Sequence, residues 1–348
     1  MPSSPRKGKT SSSLPVWRRL DLGVCDPYRA QTFVESVAVS VGRGEAPNTV
    51  LYARPRRPYV SLGFHQSASE ELDEEEVVRR NLPVLRRVTG GGTTYLDPDQ
   101  VFYQLVWREG DPRGERWSGA GALREFLRGP RRALRDLGLE AEFREPADLV
   151  IRGRKVSGNA GGDWEGAHIL VGGVLGHADT EAMAAILRCP DRRFRALLER
   201  EMQTLLTGLD RELPGPVSLE TLRDRIDRAF AKEGLFRSVE GPPLEAEERR
   251  FLEEVGPRHR DPSWIQIPPV PRDPGPVVRS VRVAGPWHVW MMRGEVPSAM
   301  FWGTSEGPRV VRAYRGSDEP SRDSEIPLKD GEAGWGVVQR LWRAHYRD

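Results

Sequence analysis

The sequence predicts an α+β fold: a mixed, largely antiparallel sheet, followed by a small α+β C-terminal accessory domain. Three observations carry this expectation. Short strand-like runs and helical stretches alternate irregularly, without the strict strand–helix repeat of a doubly wound sheet. Neighbouring strands are joined by tight turns, as antiparallel hairpins require. A Gly- and Pro-containing stretch at 208–216 then separates this region from two helical stretches, a Pro-rich segment and a second set of strands.

The elements follow in order. Residues 1–13 are Ser-, Lys- and Pro-rich with no apolar core and read as a disordered tail. A helix is expected over 27–43, where Phe33, Val37 and Val41 recur four apart on one face. Strands are expected at 49–53 and 59–64, separated by Arg54-Pro55-Arg56-Arg57-Pro58. An acidic helix over 70–81 precedes a strand at 82–88, closed by Thr89-Gly90-Gly91-Gly92. Strands at 93–96 and 101–107 flank Asp97-Pro98-Asp99, and a helix over 119–137 breaks at Pro130. A hairpin joins 148–151 to 155–157 across Arg152-Gly153, followed by a strand at 168–175 and helices over 180–187 and 194–205. The expected organisation is a tail (1–13), a catalytic domain (14–210), a helical and Pro-rich connector (211–276) and an accessory domain (277–348). The last carries strands at 277–283, 288–292 and 310–313, a core with Trp287, Trp290 and Trp302, and a helix over 334–346.

Composition removes several function classes. The 348 residues carry 53 Lys+Arg against 51 Asp+Glu, a net charge of +2 that argues against a general nucleic-acid binder. No apolar run is long enough to span a membrane. Two cysteines, Cys25 and Cys189, fit a reducing, cytoplasmic setting and exclude a disulfide scaffold. The six histidines show no metal-ligand spacing, so no metal site is expected. Neither cysteine sits in an activating context.

Only five of the 53 basic residues are lysines: Lys7, Lys9, Lys155, Lys232 and Lys329. A chain that writes Arg by default makes Lys155 conspicuous, because an ammonium is a compact point charge that a guanidinium does not replace. It lies in Gly153-Arg154-Lys155-Val156-Ser157-Gly158-Asn159-Ala160-Gly161-Gly162, where small residues surround it. Arg86-Arg87-Val88-Thr89-Gly90-Gly91-Gly92 is the second candidate: glycines let backbone approach an anion, and arginines pair with phosphate or carboxylate. It is neither a Walker A loop nor a dinucleotide fingerprint.

Together these motifs, about 60 residues apart, resemble the lipoate–protein ligase A family of the biotin/lipoate ligase and octanoyltransferase superfamily. Val60-Ser61-Leu62-Gly63-Phe64-His65-Gln66 and Ala147-Asp148-Leu149-Val150 are similar to flanking segments of that family. The resemblance implies the family's fold and an ATP-dependent ligase. Lipoate and ATP, with Mg2+, give lipoyl-adenylate, and the acyl group passes to a lysine of a lipoyl domain (an E2 subunit) or glycine-cleavage H protein. It further implies that Lys155 is catalytic, binding phosphate and acyl carbonyl. Arg87, Thr89, Gly90, Gly91, Gly92, Asp148, Asn159 and Ala160 would line the adenylate, and Leu62, Phe64, His65 and Tyr95 the acyl pocket.

The chain departs from the family pattern at Leu96 and Val171, where the family has His, at Gln100, where it often has Asn, and at Gly161-Gly162, where it has an Arg. These departures keep two alternatives open: an octanoyl or lipoyl transferase using an acyl carrier donor, and a non-catalytic ligand-binding paralogue. A cysteine-dependent transferase needs a thiol in the pocket, and Cys25 and Cys189 fall outside the matched motifs.

Overall fold

The computed structural model describes residues 13–111, 119–268, 277–284, 287–292, 298–304, 307–314 and 325–326. Eleven strands precede residue 241: β1 Val16–Cys25, β2 Thr49–Pro55, β3 Tyr59–Leu62, β4 Val84–Arg86, β5 Thr94–Leu96, β6 Gln100–Arg108, β7 Ala141–Arg144, β8 Asp148–Ile151, β9 Arg154–Trp164, β10 Ala167–Leu175 and β11 Arg237–Glu240. Eight form one sheet in the order β11-β1-β2-β6-β10-β9-β8-β7, and β4-β3-β5 form a second. Only β1–β11, β1–β2 and β3–β4 pair in parallel, so the α+β, mainly antiparallel expectation holds. β12 Val277–Ala284, β13 Trp287–Met292, β14 Ser298–Thr304, β15 Gly307–Tyr314 and β16 Glu325–Ile326 form a third, antiparallel sheet.

The large sheet is covered on both faces, which is why β6 reads as a nearly continuous apolar run. Its odd-numbered residues Val101, Tyr103, Leu105 and Trp107 join a core with Trp17, Phe126, Phe230 and Phe236. Val106 packs on the other face with the helix Pro27–Gly42. Gln104 is tolerated in the middle because its Nε2 donates to the Ala30 carbonyl of that helix at 2.8 Å. Asp26 caps the helix, accepting from the Tyr28 and Arg29 amides, and Pro27 occupies the first position, where no amide is needed.

Local expectations hold where turn chemistry dictates them. Arg152 and Gly153 take φ of +50° and +77°, the type I′ pattern of a two-residue hairpin. Elsewhere packing overrides pattern. The acidic helix splits into Ala68–Glu71 and Glu74–Arg79, because Leu72 forms a bridge with Leu187 and Asp73 caps a new start. The helix over 119–137 breaks at Leu127, not Pro130; the proline lies in the first turn of Arg128–Arg135, where its missing amide costs nothing. β9 continues through Gly161-Gly162 to Trp164 and turns back at Glu165-Gly166 into β10.

The segment read as a connector contributes to the main body. The helix Leu219–Lys232 and Phe236 enter the same core as β6, with Phe236 stacked on Trp17 at 4.1 Å between centroids. Arg18 on β1 reaches Glu247 in two hydrogen bonds of 3.0 and 2.6 Å. In the C-terminal sheet Trp287 stands opposite Trp302 in register; the packing of the three tryptophans and the helix expected over 334–346 lie outside the described residues. No described helix is long and apolar enough to cross a membrane.

The Arg18–Glu247 pair is buried on both sides, at 7% and 0% side-chain exposure. Removing one partner strands the other charge in the interior. Arg18→Ala is expected to lower stability by about 3–5 kcal/mol, read as the urea midpoint; a change below about 1 kcal/mol would show that the pair does not tie residues 245–250 to the sheet.

Candidate functional site

A cavity of about 1020 Å³ opens between the two sheets of the main body, the helix Arg192–Leu205 and β12. Lys155 and Asp148 both line it. They sit on adjacent antiparallel strands whose register shifts between Leu149 and Val150, and Lys155 Nζ reaches Asp148 Oδ1 at 2.9 Å. Gly158, the register partner of Asp148, leaves room for this. A Cβ there would stand 3.0 Å from both Cε and Nζ of Lys155.

Asp148 is 2% exposed and Lys155 22%, so the carboxylate is enclosed while the ammonium keeps one side towards the cavity. Burial works against ionising Asp148, but Lys155 first, then Arg282 and Arg144, outweigh it and hold its pKa below the ordinary aspartate range.

The Gly-rich loop is organised by Arg86 and Arg87. Arg86 donates to the carbonyls of Gly63, Phe64, Gln66, Trp264 and Ile265 at 2.5–3.1 Å. Arg87 donates to Ser61 O and Oγ, Gly90 O and Gly92 O at 2.7–3.2 Å. Burial pushes the Arg87 pKa down to about 10. The guanidinium expected to face an adenylate is therefore a brace for the loop; although Arg87 borders the cavity, its donors point into backbone carbonyls.

Gly91 adopts φ +95° and passes so close to Gly63 that a Cβ on Gly63 would lie 1.9 Å from the Gly91 carbonyl oxygen. Gly91 and Gly92 line the cavity, whereas Thr89 and Gly90 turn away from it. Thr89 packs under β9, where Gly162 is the contact: a Cβ there would meet Thr89 Cα at 3.2 Å. Gly162 thus lacks a side chain because the loop lies against it, whereas a Cβ on Gly161 would make only an ordinary 3.5 Å contact with the Ile169 carbonyl.

Asn159 and Ala160 line the cavity as expected. The Asn159 amide donates to Ala147 O at 2.8 Å and Ser157 Oγ at 3.2 Å, and its Oδ1 accepts from the Tyr103 hydroxyl. Gly172 on β10 makes this possible, since a Cβ there would fall 1.9 Å from Asn159 Oδ1. The glycine pair 172–173 inside an apolar strand is the sequence signal for that close approach.

The acyl-pocket expectation is corrected in part. Tyr95 lines the cavity; Leu62, Phe64 and His65 do not. Strand alternation explains Leu62: Tyr59 and Ser61 face the cavity, while Val60 and Leu62 face the core beneath. Phe64 packs edge-on against His65 and Trp264, and His65 is exposed. The apolar lining comes instead from Phe102, Leu175, Met183, Ile186, Met202 and Leu206. The substituted family positions Leu96, Gln100 and Val171 also face the cavity. Arg279, Arg282 and His288 of β12 and β13 line it too, and no local motif marked them.

Cys25 and Cys189 are free and do not line the cavity. Burial pushes each thiol up to about 11, the opposite of an activated nucleophile. No three His, Cys, Asp or Glu side chains form a metal-holding group among the described residues. The cavity carboxylates are Glu70, Glu71 and Asp148; Asp148 is paired with Lys155 and Glu71 with Arg279.

Residues 26–231 match the model of the lipoyl protein ligase A/B catalytic domain. Octanoyltransferase LipM of Kyrpidia tusciae is 30% identical over 272 residues, covering 72% of this chain and 98% of the relative. Octanoyltransferase LipM of Geobacillus kaustophilus is 27% identical, covering 69% and 94%. Among solved structures, the bi-partite lipoate protein ligase of Thermoplasma acidophilum, described with its E2 lipoyl domain, superposes with a TM-score of 0.64 at 22% identity, covering 75% of this chain and 99% of the other.

Two predictions follow from the geometry. Gly172→Ala is expected to displace Asn159 and Tyr103 and to weaken binding of a cavity ligand such as octanoate at least about tenfold, measured by titration; unchanged affinity with an unchanged Tm would contradict the packing. Asp148, with its depressed folded pKa, stabilises the fold above the unfolded carboxylate value and loses that contribution as pH falls through the folded value. Between about pH 6 and about pH 3, Asp148→Asn should therefore lose less Tm than wild type does. Equal losses would mean that the pair is not maintained in solution.

Proposed function

The chain belongs to the lipoyl protein ligase A/B catalytic-domain family, and from that premise we propose that it transfers a lipoyl-type, medium-chain acyl group to the side-chain amine of a lysine on a lipoyl-acceptor domain, without a protein thioester. The observation that carries this reading is the Lys155–Asp148 pair at a cavity that neither cysteine reaches. The apolar wall of Phe102, Ile186, Met202 and Leu206 suits a medium acyl chain. The acceptor is a lipoyl domain of an E2 subunit or an H protein.

In the reaction the acceptor amine nitrogen attacks the acyl carbonyl, an amide bond forms, the bond to the donor's leaving group breaks and a proton is released. Negative charge develops on the carbonyl oxygen as the amine adds. An ammonium held in place before the reaction stabilises that charge without reorganising. Asp148 keeps Lys155 oriented through the 2.9 Å ion pair. The loop braced by Arg86 and Arg87 forms a rigid opposing wall.

A second reading, ATP-dependent activation of the acid by this same chain, is favoured by the cavity volume. At about 1020 Å³ it has room for a nucleotide beside the acyl chain. The two readings differ in the source of the activated acyl group.

The test uses the purified chain with an apo lipoyl-acceptor domain and either octanoyl-AMP or an octanoyl thioester, following the mass of the acceptor, beside lipoate- and octanoate-dependent ATP–pyrophosphate exchange. Transfer is expected, and the Cys25→Ser/Cys189→Ser double variant should keep it within about twofold of wild type. Exchange selects the ligase; transfer without exchange leaves the transferase. An acyl group trapped on either cysteine, with the double variant inactive, would overturn the thiol-free reading.

A further inference from the structure

Both donor classes compatible with the proposed reaction, an acyl-adenylate and an acyl phosphopantetheine thioester, carry a phosphate. The loop arginines do not supply a free cation for it, because Arg86 and Arg87 are committed to eight backbone carbonyl oxygens and one hydroxyl oxygen between them. Gly161-Gly162 carries no side chain. Of the other arginines at the cavity, Arg279 pairs with Glu71 at 2.8 Å and Arg188 holds the Ser69 carbonyl.

A different cluster carries surplus charge. Asp148 has Lys155 at 2.9 Å and Arg144 at 3.5 Å, and Arg282 of β12 acts on both Asp148 and Arg144. Three cations surround one carboxylate. Arg144 is mostly buried, and its Nε has no hydrogen-bond partner among the described residues. One carboxylate shared among three cations leaves positive charge over, and an anion placed at the cavity side of the cluster offsets it. Arg282 is held at the cavity by its own strand. Val281 and Val283 on either side are buried in the apolar cluster with Met202 and Leu206, while Arg282 is exposed and stands opposite His288 in register.

We propose that Arg282 and Lys155, which both line the cavity, form a phosphate-binding site for the acyl donor, with Arg144 adding positive charge beside Asp148, so that β12 completes the site that residues 14–210 begin. This rests on the acyl-transfer reading, but its test does not require turnover. In an acyl-adenylate the phosphate is one bridging oxygen from the acyl carbonyl, so Lys155 reaches both groups; in a phosphopantetheine thioester the pantetheine arm separates a phosphate held at Arg282 from a carbonyl held at Lys155. His288, linked to Ser280 at 3.4 Å, stands next to Arg282 at the rim.

The experiment is calorimetric titration of the full chain with AMP and with 4′-phosphopantetheine, each beside its unphosphorylated counterpart, adenosine or pantetheine. Wild type should bind at least one phosphorylated probe about 10- to 100-fold more tightly than its counterpart; which one it prefers identifies the donor. Arg282→Gln should remove most of that difference while leaving the unphosphorylated affinity unchanged, and Arg282→Lys should restore part of it. Because Arg282 is exposed, its variants should keep the wild-type Tm. No discrimination by wild type, or equal weakening of both members of a pair in Arg282→Gln, would overturn the site. Phosphate discrimination without any acyl transfer would overturn only the catalytic reading.

Discussion

Two adjacent guanidinium groups hold the candidate site together. Arg86 and Arg87 gather carbonyls from residues 61–66, 90–92 and 264–265. Apart from Ser61 on β3 and Trp264 and Ile265 at the end of the short helix Pro262–Ile265, those carbonyls lie in loops outside any ladder, and leaving one unpaired in the interior costs about 1–3 kcal/mol. The loop after β4, the loop after β3 and the segment around Trp264 thus become one piece. That piece is anchored from behind: His259 Nε2 donates to Glu35 Oε1 over 2.8 Å, joining the 256–260 helix to the long helix Pro27–Gly42. Residues far apart in sequence set the position of one glycine loop.

The same bonds decide which charge is left for chemistry. A guanidinium with its fork filled by carbonyls does not rearrange to meet a substrate, so the loop offers shape and backbone. The cation that faces the cavity from a side chain not committed to backbone carbonyls is Lys155. Among the described residues the only other lysine is Lys232, which pairs with Asp136 on the surface at 2.7 Å. Asp148 fixes the ammonium from one side and the cavity receives it on the other. Gly158 and Gly172 clear the space both arrangements need.

Much of this was legible in the sequence. The Gly-rich loop and the strand lysine stand out by composition, the Arg152-Gly153 hairpin by turn chemistry, and the helix 27–43 by apolar spacing. The rest depends on information that local pattern does not carry. In Tyr59-Val60-Ser61-Leu62 every residue is buried, so hydrophobicity does not fix which side faces the cavity, and Leu62 turns to the core while Ser61 faces the cavity. A charged motif beside glycines does not reveal whether its donors meet a ligand or backbone; for Arg87 the answer required the positions of Ser61 and Gly92. The contribution of β12 is a contact across more than a hundred residues, and Arg282 has no neighbouring motif to mark it.

The central claim is that a lysine ammonium, held by Asp148, performs the chemistry that no arginine in this Arg-rich chain performs. Single-turnover transfer of octanoyl from octanoyl-AMP to an apo lipoyl domain by Lys155→Arg measures this most directly. The variant keeps the charge and should keep the Tm, yet its bulkier planar fork does not place a donor at the acyl oxygen, and the rate should fall about 100-fold or more. A rate within about threefold of wild type would show that any cation suffices at this position, and that the rare lysine reflects composition alone.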